Sequence, residues 1–183
     1  MRSKDKISRP IELDTLVIGY GNPMRGDDGA GPALAEQLSE RLQPWGCGRV
    51  KCISCMQLTP ELAGEIAAAR RVVFVDASLD IAPGHVAIRR VTPKSPANNF
   101  SHHLSPGAML YLCRRALNAE PDAWVVAIGV ESMQIGDVLS LLAAKAVDRL
   151  ARHLAYRLVR PRKPATQAHP PAQQGRRTKR QSL

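Results

Sequence analysis

The sequence predicts an α/β fold, a three-layer sandwich in which a mostly parallel, twisted sheet carries helices on both faces. Apolar runs of strand length alternate along the chain with segments of helical periodicity, which is the pattern of a helix-covered sheet. The runs that begin near residues 13, 71 and 123 are almost purely apolar, as expected for strands buried on both faces. With 183 residues, 44% of them hydrophobic, the chain suits one domain with a substantial core rather than two.

Strands and helices are predicted alternately in the first half of the chain. The segments are, in order, 13–20 (strand), 29–41 (helix), 49–54 (strand), 59–69 (helix) and 71–76 (strand). The first helix has Pro32 in its first turn, where proline is favoured, and leucines at helical spacing. For the second helix, Thr59 is the expected N-cap and Pro60 the first helical residue. The run that ends at Asp76 has the composition of a central strand.

The second half of the chain begins with an exception to this alternation. Segment 84–91 has strand character, but no helix separates it from the strand that ends at Asp76. Because parallel neighbours need a long crossover connection, we expect this strand to run antiparallel. The remaining predicted segments are a polar loop at 98–105, a helix at 106–117, a strand at 124–129 and a long closing helix at 138–158.

The positive charge of the chain is concentrated after residue 159. The net charge is +10, and segment 160–183 carries seven Lys/Arg and no acid; without it, 19 basic residues face 16 acidic ones. We therefore expect residues 1–159 to form a single α/β domain and residues 160–183, rich in proline and glutamine, to form a disordered basic tail. The tail is either a solvated appendage or a weak contact for nucleic acid or an acidic partner. It has no interleaved aromatic residues, so no nucleic-acid partner is expected.

The apolar pattern and the cysteines bear on the compartment. No apolar run approaches the ~20 residues of a membrane span, and residues 1–10 lack the apolar core of a signal peptide. We expect a cytoplasmic protein with no membrane partner. Cys52 and Cys55 have a spacing found in metal and redox motifs, but residues three apart in a strand point to opposite faces. Structural thiols are therefore the favoured interpretation.

Polar residues follow the predicted strands, at the edge of the sheet where such folds bind ligands. These residues are Asn22, Asp27, Asp28, Asp76, His102 and His103. Taken singly, each has an ordinary explanation: an acid that caps a turn or faces a helix dipole, or a solvated histidine. Together, two carboxylates and an imidazole make a nitrogen and oxygen site that suits a borderline divalent metal such as nickel or zinc.

The glycine loop at 19–31 does not fit the nucleotide-binding motifs. The spacing Gly19-x-Gly21-x-x-Met24 breaks the dinucleotide fingerprint, and acids stand where a pyrophosphate would bind. The Gly-Lys-Ser/Thr of a P-loop, the G-x-S-x-G elbow and the H-E-x-x-H helix are absent from the sequence. Acids at this position indicate a cation rather than a phosphate.

Five segments of the chain form a recognisable series. They are GYGNPMRGDDGAG at 19–31, QLTPEL at 57–62, VFVDA at 73–77, SHHLSP at 101–106 and GVESMQIG at 129–136. In this order they resemble the hydrogenase maturation proteases, the endopeptidases that trim the C-terminus of the nickel–iron hydrogenase large subunit. The first segment is the most specific. The resemblance spans residues 15–155 and leaves the tail outside the family pattern.

The resemblance implies a three-ligand site made of Asp28, Asp76 and His102, with Asp28 and Asp76 also as catalytic candidates. His103 holds a position that is more often Asp, Glu or Gln in that family, so the choice between the two histidines stays open. The implied metal is nickel already inserted in the immature large subunit, with zinc or cadmium as substitutes in vitro. The implied reaction is a single cut after a His or Arg that follows the last metal-binding Cys motif of that subunit.

The catalytic step admits more than one chemistry. A metal held by three protein ligands could polarise the scissile carbonyl or activate water, and a free carboxylate such as Asp27 could act as a general base. The alternative function on the same fold is a non-catalytic metal-binding or chaperone-like maturation protein, which would use the same ligands. The immature large subunit is the expected partner of the endopeptidase.

Overall fold

The computed structural model describes residues 13–46, 48–95 and 104–159. The strands in this part of the chain are β1 (Leu13–Tyr20), β2 (Val50–Cys55), β3 (Ala69–Ser78), β4 (Val86–Val91) and β5 (Asp122–Gly129). The helices are α1 (Ala30–Leu42), α2 (Ala63–Ala68), α3 (Pro106–Leu117) and α4 (Leu141–Val159). Short 3-10 turns at Gly26–Gly29 and Pro60–Leu62 lead into α1 and α2.

The strands form one sheet in the order β2-β1-β3-β5-β4. β1 is parallel to β2 and to β3, and β3 is parallel to β5. β4 is antiparallel to β5, which confirms the expectation for segment 84–91. Because the parallel strands end at the same edge, the segments that follow β1, β2 and β3 meet there.

Helices cover both faces of the sheet, which confirms the three-layer α/β class. On one face, α1 and α4 pack on a core that includes Val17, Val75 and Ile128. On the other face, α2 and α3 pack on a core that includes Leu16 and Phe74. Burying an apolar side chain of this size stabilises the fold by about 1.5–3 kcal/mol relative to leaving it exposed.

The glycine loop brings the start of α1 directly against the strand ends. A Cβ on Gly31 would lie 2.5 Å from the carbonyl oxygen of Tyr20 and 2.6 Å from that of Val75. A Cβ on Gly19 would overlap the carbonyl oxygen of Gly31. These glycines therefore allow the backbones of β1, β3 and α1 to approach closely. As a result, the two acids that precede α1 lie at the carboxyl edge of the sheet.

Two helix starts differ from the sequence prediction. α4 begins at Leu141 rather than at residue 138, because the Ser140 hydroxyl caps it by accepting the Ala143 N–H at 3.3 Å. The helix predicted at 59–69 is instead a 3-10 turn at Pro60–Leu62 followed by α2 (Ala63–Ala68), and the side chain of Thr59, the predicted N-cap, makes no capping hydrogen bond. Its hydroxyl bonds the Glu61 carboxylate instead, which lowers the pKa of Glu61.

Cys52 and Cys55 are free thiols on opposite faces of β2, as the strand geometry predicts. Cys52 packs against the core under α1 and α4, and Cys55 packs against the core under α2 and α3. Burial raises the pKa of Cys52 to about 11 and also raises the pKa of Cys55. Both groups are therefore neutral thiols at pH 7, consistent with a structural role.

Within residues 13–46, 48–95 and 104–159, no helix combines the length and the apolar character needed to cross a membrane. Most of the polar loop predicted at 98–105, and the whole tail at 160–183, lie outside the described residues.

Candidate active site

A cavity of about 510 Å³ opens at the carboxyl edge of the sheet. Four segments contribute to it: the end of β1 with the loop after it, the segment after β2, the end of β3, and the approach to α3. The lining residues are Tyr20, Gly21, Asn22, Arg25, Asp28, Met56, Gln57, Leu58, Asp76 and Leu104. The two acids predicted as ligands, Asp28 and Asp76, thus share one cavity.

Asp76 is a partly buried carboxyl group whose pKa departs from its ordinary value. Its neighbour across the parallel pair β1–β3 is Tyr20, since the preceding residues Gly19 and Val75 are register partners. Burial raises the pKa of Asp76, and the nearby charge of Asp28 raises it further, whereas a hydrogen bond from the Tyr20 hydroxyl lowers it; the net direction is upward. Burial also raises the pKa of Tyr20, so the phenol stays protonated and donates to the carboxylate.

The backbone of the glycine loop holds Asp28. Its Oδ2 accepts the Asn22 N–H at 3.0 Å. Gly21 permits this turn, because its φ is +140° and a Cβ there would overlap the carbonyl oxygen of Asp28. Asn22 braces the same loop through its Oδ1, which accepts the Met24 N–H at 3.0 Å. One oxygen of Asp28 is therefore positioned by the protein.

The side chain of Asp27 points away from the cavity that holds Asp28 and Asp76. It is 3% exposed, and its two oxygens accept the N–H of Glu131 at 3.2 Å and the N–H of Ser140 at 2.6 Å. It does not line the cavity that holds Asp28 and Asp76. Successive residues of a 3-10 turn project about 120° apart, so adjacent acids in Gly26–Gly29 face different neighbours. This placement favours a structural role for Asp27 over the general-base role suggested by its sequence position.

Sequence reasoning found some of the cavity residues and missed others. It singled out Asn22, Asp28 and Asp76, which the structure brings together. It missed Tyr20, whose signal was its place at the end of an apolar strand beside the strand that ends in Asp76. It also missed the apolar wall, made of Met56, Leu58 and Leu104. His102 and His103 lie outside the described residues, so the assignment of the third ligand stays a prediction.

Carboxylates that converge from separate loops are oxygen ligands for a divalent cation. Across residues 13–46, 48–95 and 104–159, no group of three His, Cys, Asp or Glu side chains is arranged to hold a metal ion. The described part of the cavity supplies two carboxylates, Asp28 and Asp76. A borderline metal such as nickel would need further ligands, including the imidazole nitrogen that such ions favour.

Comparison with known proteins adds a structural likeness. No protein-family model matches the sequence, and no curated protein matches it. Among solved structures, the NiFe hydrogenase maturation protease HycI from Thermococcus kodakarensis KOD1 is 25% identical, with a TM-score of 0.66 over 80% of this chain and 92% of that one. The hydrogenase maturating endopeptidase HybD from E. coli is 21% identical, with a TM-score of 0.62 over 80% and 92%. HybD from Thermococcus kodakarensis is 20% identical, with a TM-score of 0.55 over 81% and 100%.

The fold and the cavity define a three-layer α/β protein with a carboxylate site at the carboxyl edge of its parallel sheet. Within that class, the fold is that of the NiFe hydrogenase maturation proteases. The sequence motifs predict this likeness, and it supports a peptidase role.

Proposed function

We propose that this protein is the endopeptidase that removes the C-terminal extension of a nickel–iron hydrogenase large subunit precursor. The observation that carries the proposal is the cavity shared by Asp28 and Asp76 on a fold similar to that of maturation proteases. The sequence motifs that supply both acids are those that resemble the same family. We also propose the cytoplasm as the compartment, since this is where the precursor is expected.

In this proposal, the protein recognises its substrate partly through the metal that the substrate carries. Nickel is carried by the precursor, and Asp28, Asp76 and His102 bind it when the precursor docks. One oxygen of Asp28 is held by the Asn22 N–H, and Asp76 is held by the Tyr20 hydroxyl. The second oxygen of each carboxylate is then free to bind the cation. Cleavage would therefore follow nickel insertion, and zinc or cadmium would occupy the same ligands in vitro.

The cavity also suits the hydrolytic step. Peptide hydrolysis adds water to the scissile carbonyl, breaks the C–N bond and delivers a proton to the leaving amine. Burial raises the pKa of Asp76 in the metal-free cavity, and a cation bound to its second oxygen would keep the carboxylate ionised. In this scheme Asp76 and Asp28 hold the cation, which would polarise the scissile carbonyl or activate the attacking water, and Asp27 holds the surrounding loops.

The decisive experiment incubates the purified protein with nickel-loaded precursor from the same organism. We expect a shortened large subunit and a released peptide, both measured by mass spectrometry. Nickel-free precursor should remain intact. Asp28→Asn and Asp76→Asn should each abolish cleavage. Asp80→Asn is a matched control, since Asp80 is exposed and lies outside the cavity, and it should cut like the wild type.

One outcome would favour the alternative function. Binding of nickel-loaded precursor through Asp28 and Asp76, without any cut over long incubation, would indicate a non-catalytic metal-binding or chaperone-like maturation protein. If a variant that lacks residues 160–183 lost both binding and cleavage, the basic tail would be the main contact with the precursor.

A further inference from the structure

Two loops that are distant in sequence join beside the candidate active site. We define the double-loop platform as residues 22–26 together with residues 131–136. The Gly26 N–H donates to the Gly136 carbonyl at 2.6 Å, and the Gly136 N–H donates to the Met24 carbonyl at 3.0 Å. The Arg25 Nε donates to the Met133 carbonyl at 3.1 Å. The two loops therefore behave as one surface.

The buried carboxylate of Asp27 fixes this platform from below. Its oxygens accept one N–H at the start of the second loop, from Glu131, and one just before α4, from Ser140. Two backbone amides that lie far from Asp27 in sequence are thereby tied to one buried side chain. The platform is thus ordered before a partner binds, so a partner loses little free energy in ordering it.

The outer surface of the platform is apolar and exposed. Ile135 is 95% exposed and Met24 is 64% exposed. With Met133 they line a groove of about 850 Å³, in which Asn22, Arg25 and Gln134 are the polar residues. Clustered apolar side chains on a rigid, solvated loop indicate a binding surface. Methionine is suited to such surfaces because its flexible thioether adapts to different apolar partners.

The groove is continuous with the cavity that holds Asp28 and Asp76. Asn22 and Arg25 line both, so a chain that enters the cavity passes over the platform. A second copy of this protein on the platform would obstruct the cavity, whereas a polypeptide substrate would occupy both at once. This continuity favours a substrate segment as the occupant.

We propose that the double-loop platform binds an apolar segment of the same polypeptide whose scissile bond enters the carboxylate cavity. The inference rests on the proposed endopeptidase function. Ile135 and Met24 contact apolar side chains of the substrate and set specificity for them. Neither residue touches the reacting atoms, so both contribute to substrate binding rather than to the chemical step.

The test compares platform variants with a matched surface control. Ile135→Ser and Met24→Ser remove apolar contacts, and Ile135→Leu keeps them. Ile88→Ser is the control, since Ile88 is 63% exposed on β4 and lies outside both cavities. Because the loss of apolar contact weakens ground state and transition state alike, we expect about a 10-fold rise in KM with kcat unchanged for Ile135→Ser. Ile88→Ser should match the wild type, whereas Ile135→Leu, which keeps an apolar side chain, should raise KM much less than Ile135→Ser does.

A binding measurement separates this inference from the proposed function. Immobilised precursor, both nickel-loaded and nickel-free, is titrated with each variant, and melting temperatures confirm that the variants fold. Cleavage by the wild type with an unchanged KM for Ile135→Ser would overturn the platform alone. Binding that weakens with Ile135→Ser, without cleavage by the wild type, would overturn the endopeptidase proposal and keep the platform. If the wild type neither bound nor cleaved the precursor, both the platform and the endopeptidase proposal would be overturned.

Discussion

The Tyr20 hydroxyl donates a hydrogen bond to the Asp76 carboxylate. The two side chains end neighbouring parallel strands, β1 and β3, and both line the cavity at the carboxyl edge of the sheet. This bond lowers the pKa of Asp76 against the larger upward effect of burial. Tyr20 is therefore a positioning residue that orients the Asp76 carboxylate and limits the rise in its pKa.

Replacing Tyr20 with phenylalanine should raise the pKa of Asp76 further, because the ionised carboxylate loses a donor. In the metal-free protein, carboxyl NMR titration should show Asp76 titrating at a higher pH than in the wild type. In the pH profile of cleavage, the acid limb should also move to higher pH. Tyr111→Phe on α3 is the control, since Tyr111 does not line the cavity and its ring lies 5.8 Å from the Arg114 guanidinium. An unchanged Asp76 titration in Tyr20→Phe would contradict the proposed bond.

The Asp76→Asn variant should be at least as stable as the wild type at neutral pH. The pKa of Asp76 is higher in the folded state than its ordinary value, so the unfolded state releases its proton first as pH rises. The wild type thus loses stability between the unfolded and the folded pKa. Its melting temperature should fall relative to that of Asp76→Asn as pH rises above about 4. A difference that shrinks with rising pH would mean that the pKa is lowered instead.

Removal of the Asp27 side chain should destabilise the fold. Asp27→Ala leaves the Glu131 and Ser140 amides without their acceptor, and a buried unsatisfied group costs about 1–3 kcal/mol. Urea unfolding should show this loss, whereas Asp28→Ala should lose less, since one described backbone amide bonds its side chain. An Asp27→Asn variant with wild-type stability but no cleavage would restore the general-base role.

Two glycine-to-alanine changes should have opposite effects. Gly31→Ala places a Cβ 2.5 Å from one backbone oxygen and 2.6 Å from another, so the start of α1 must move away from the strands. We expect a loss of more than about 2 kcal/mol. Gly64 in α2 has nothing within 4 Å of an added Cβ, and Gly64→Ala should gain up to about 1 kcal/mol. Equal melting temperatures for the two variants would contradict the close approach at Gly31.

The histidine assignment can be tested directly. His102→Ala should abolish cleavage of nickel-loaded precursor, because the resemblance in sequence implies that His102, rather than His103, is the third ligand. His103→Ala should only weaken cleavage. The measurement is the rate of product formation under saturating precursor. Equal loss in both variants, or the reverse order, would show that the ligand assignment is wrong.

The sequence by itself determined the α/β class, the order of the elements and the antiparallel direction of β4. It also placed Asp28 and Asp76 at one edge of the sheet. These features depend on local patterns: apolar periodicity, the length of connections and the rule that parallel strands end together. Such patterns require no knowledge of which side chain meets which.

Only the tertiary structure decided the directions in which the side chains point. A 3-10 turn sends Asp27 to the loop before α4 and leaves Asp28 in the cavity. Strand register sets Tyr20 beside Asp76, and the contact between Arg25 and Met133 joins residues 108 positions apart. Turn geometry and long-range pairing are settled by the packing of the whole chain, so the sequence pattern near any one of these residues does not contain them.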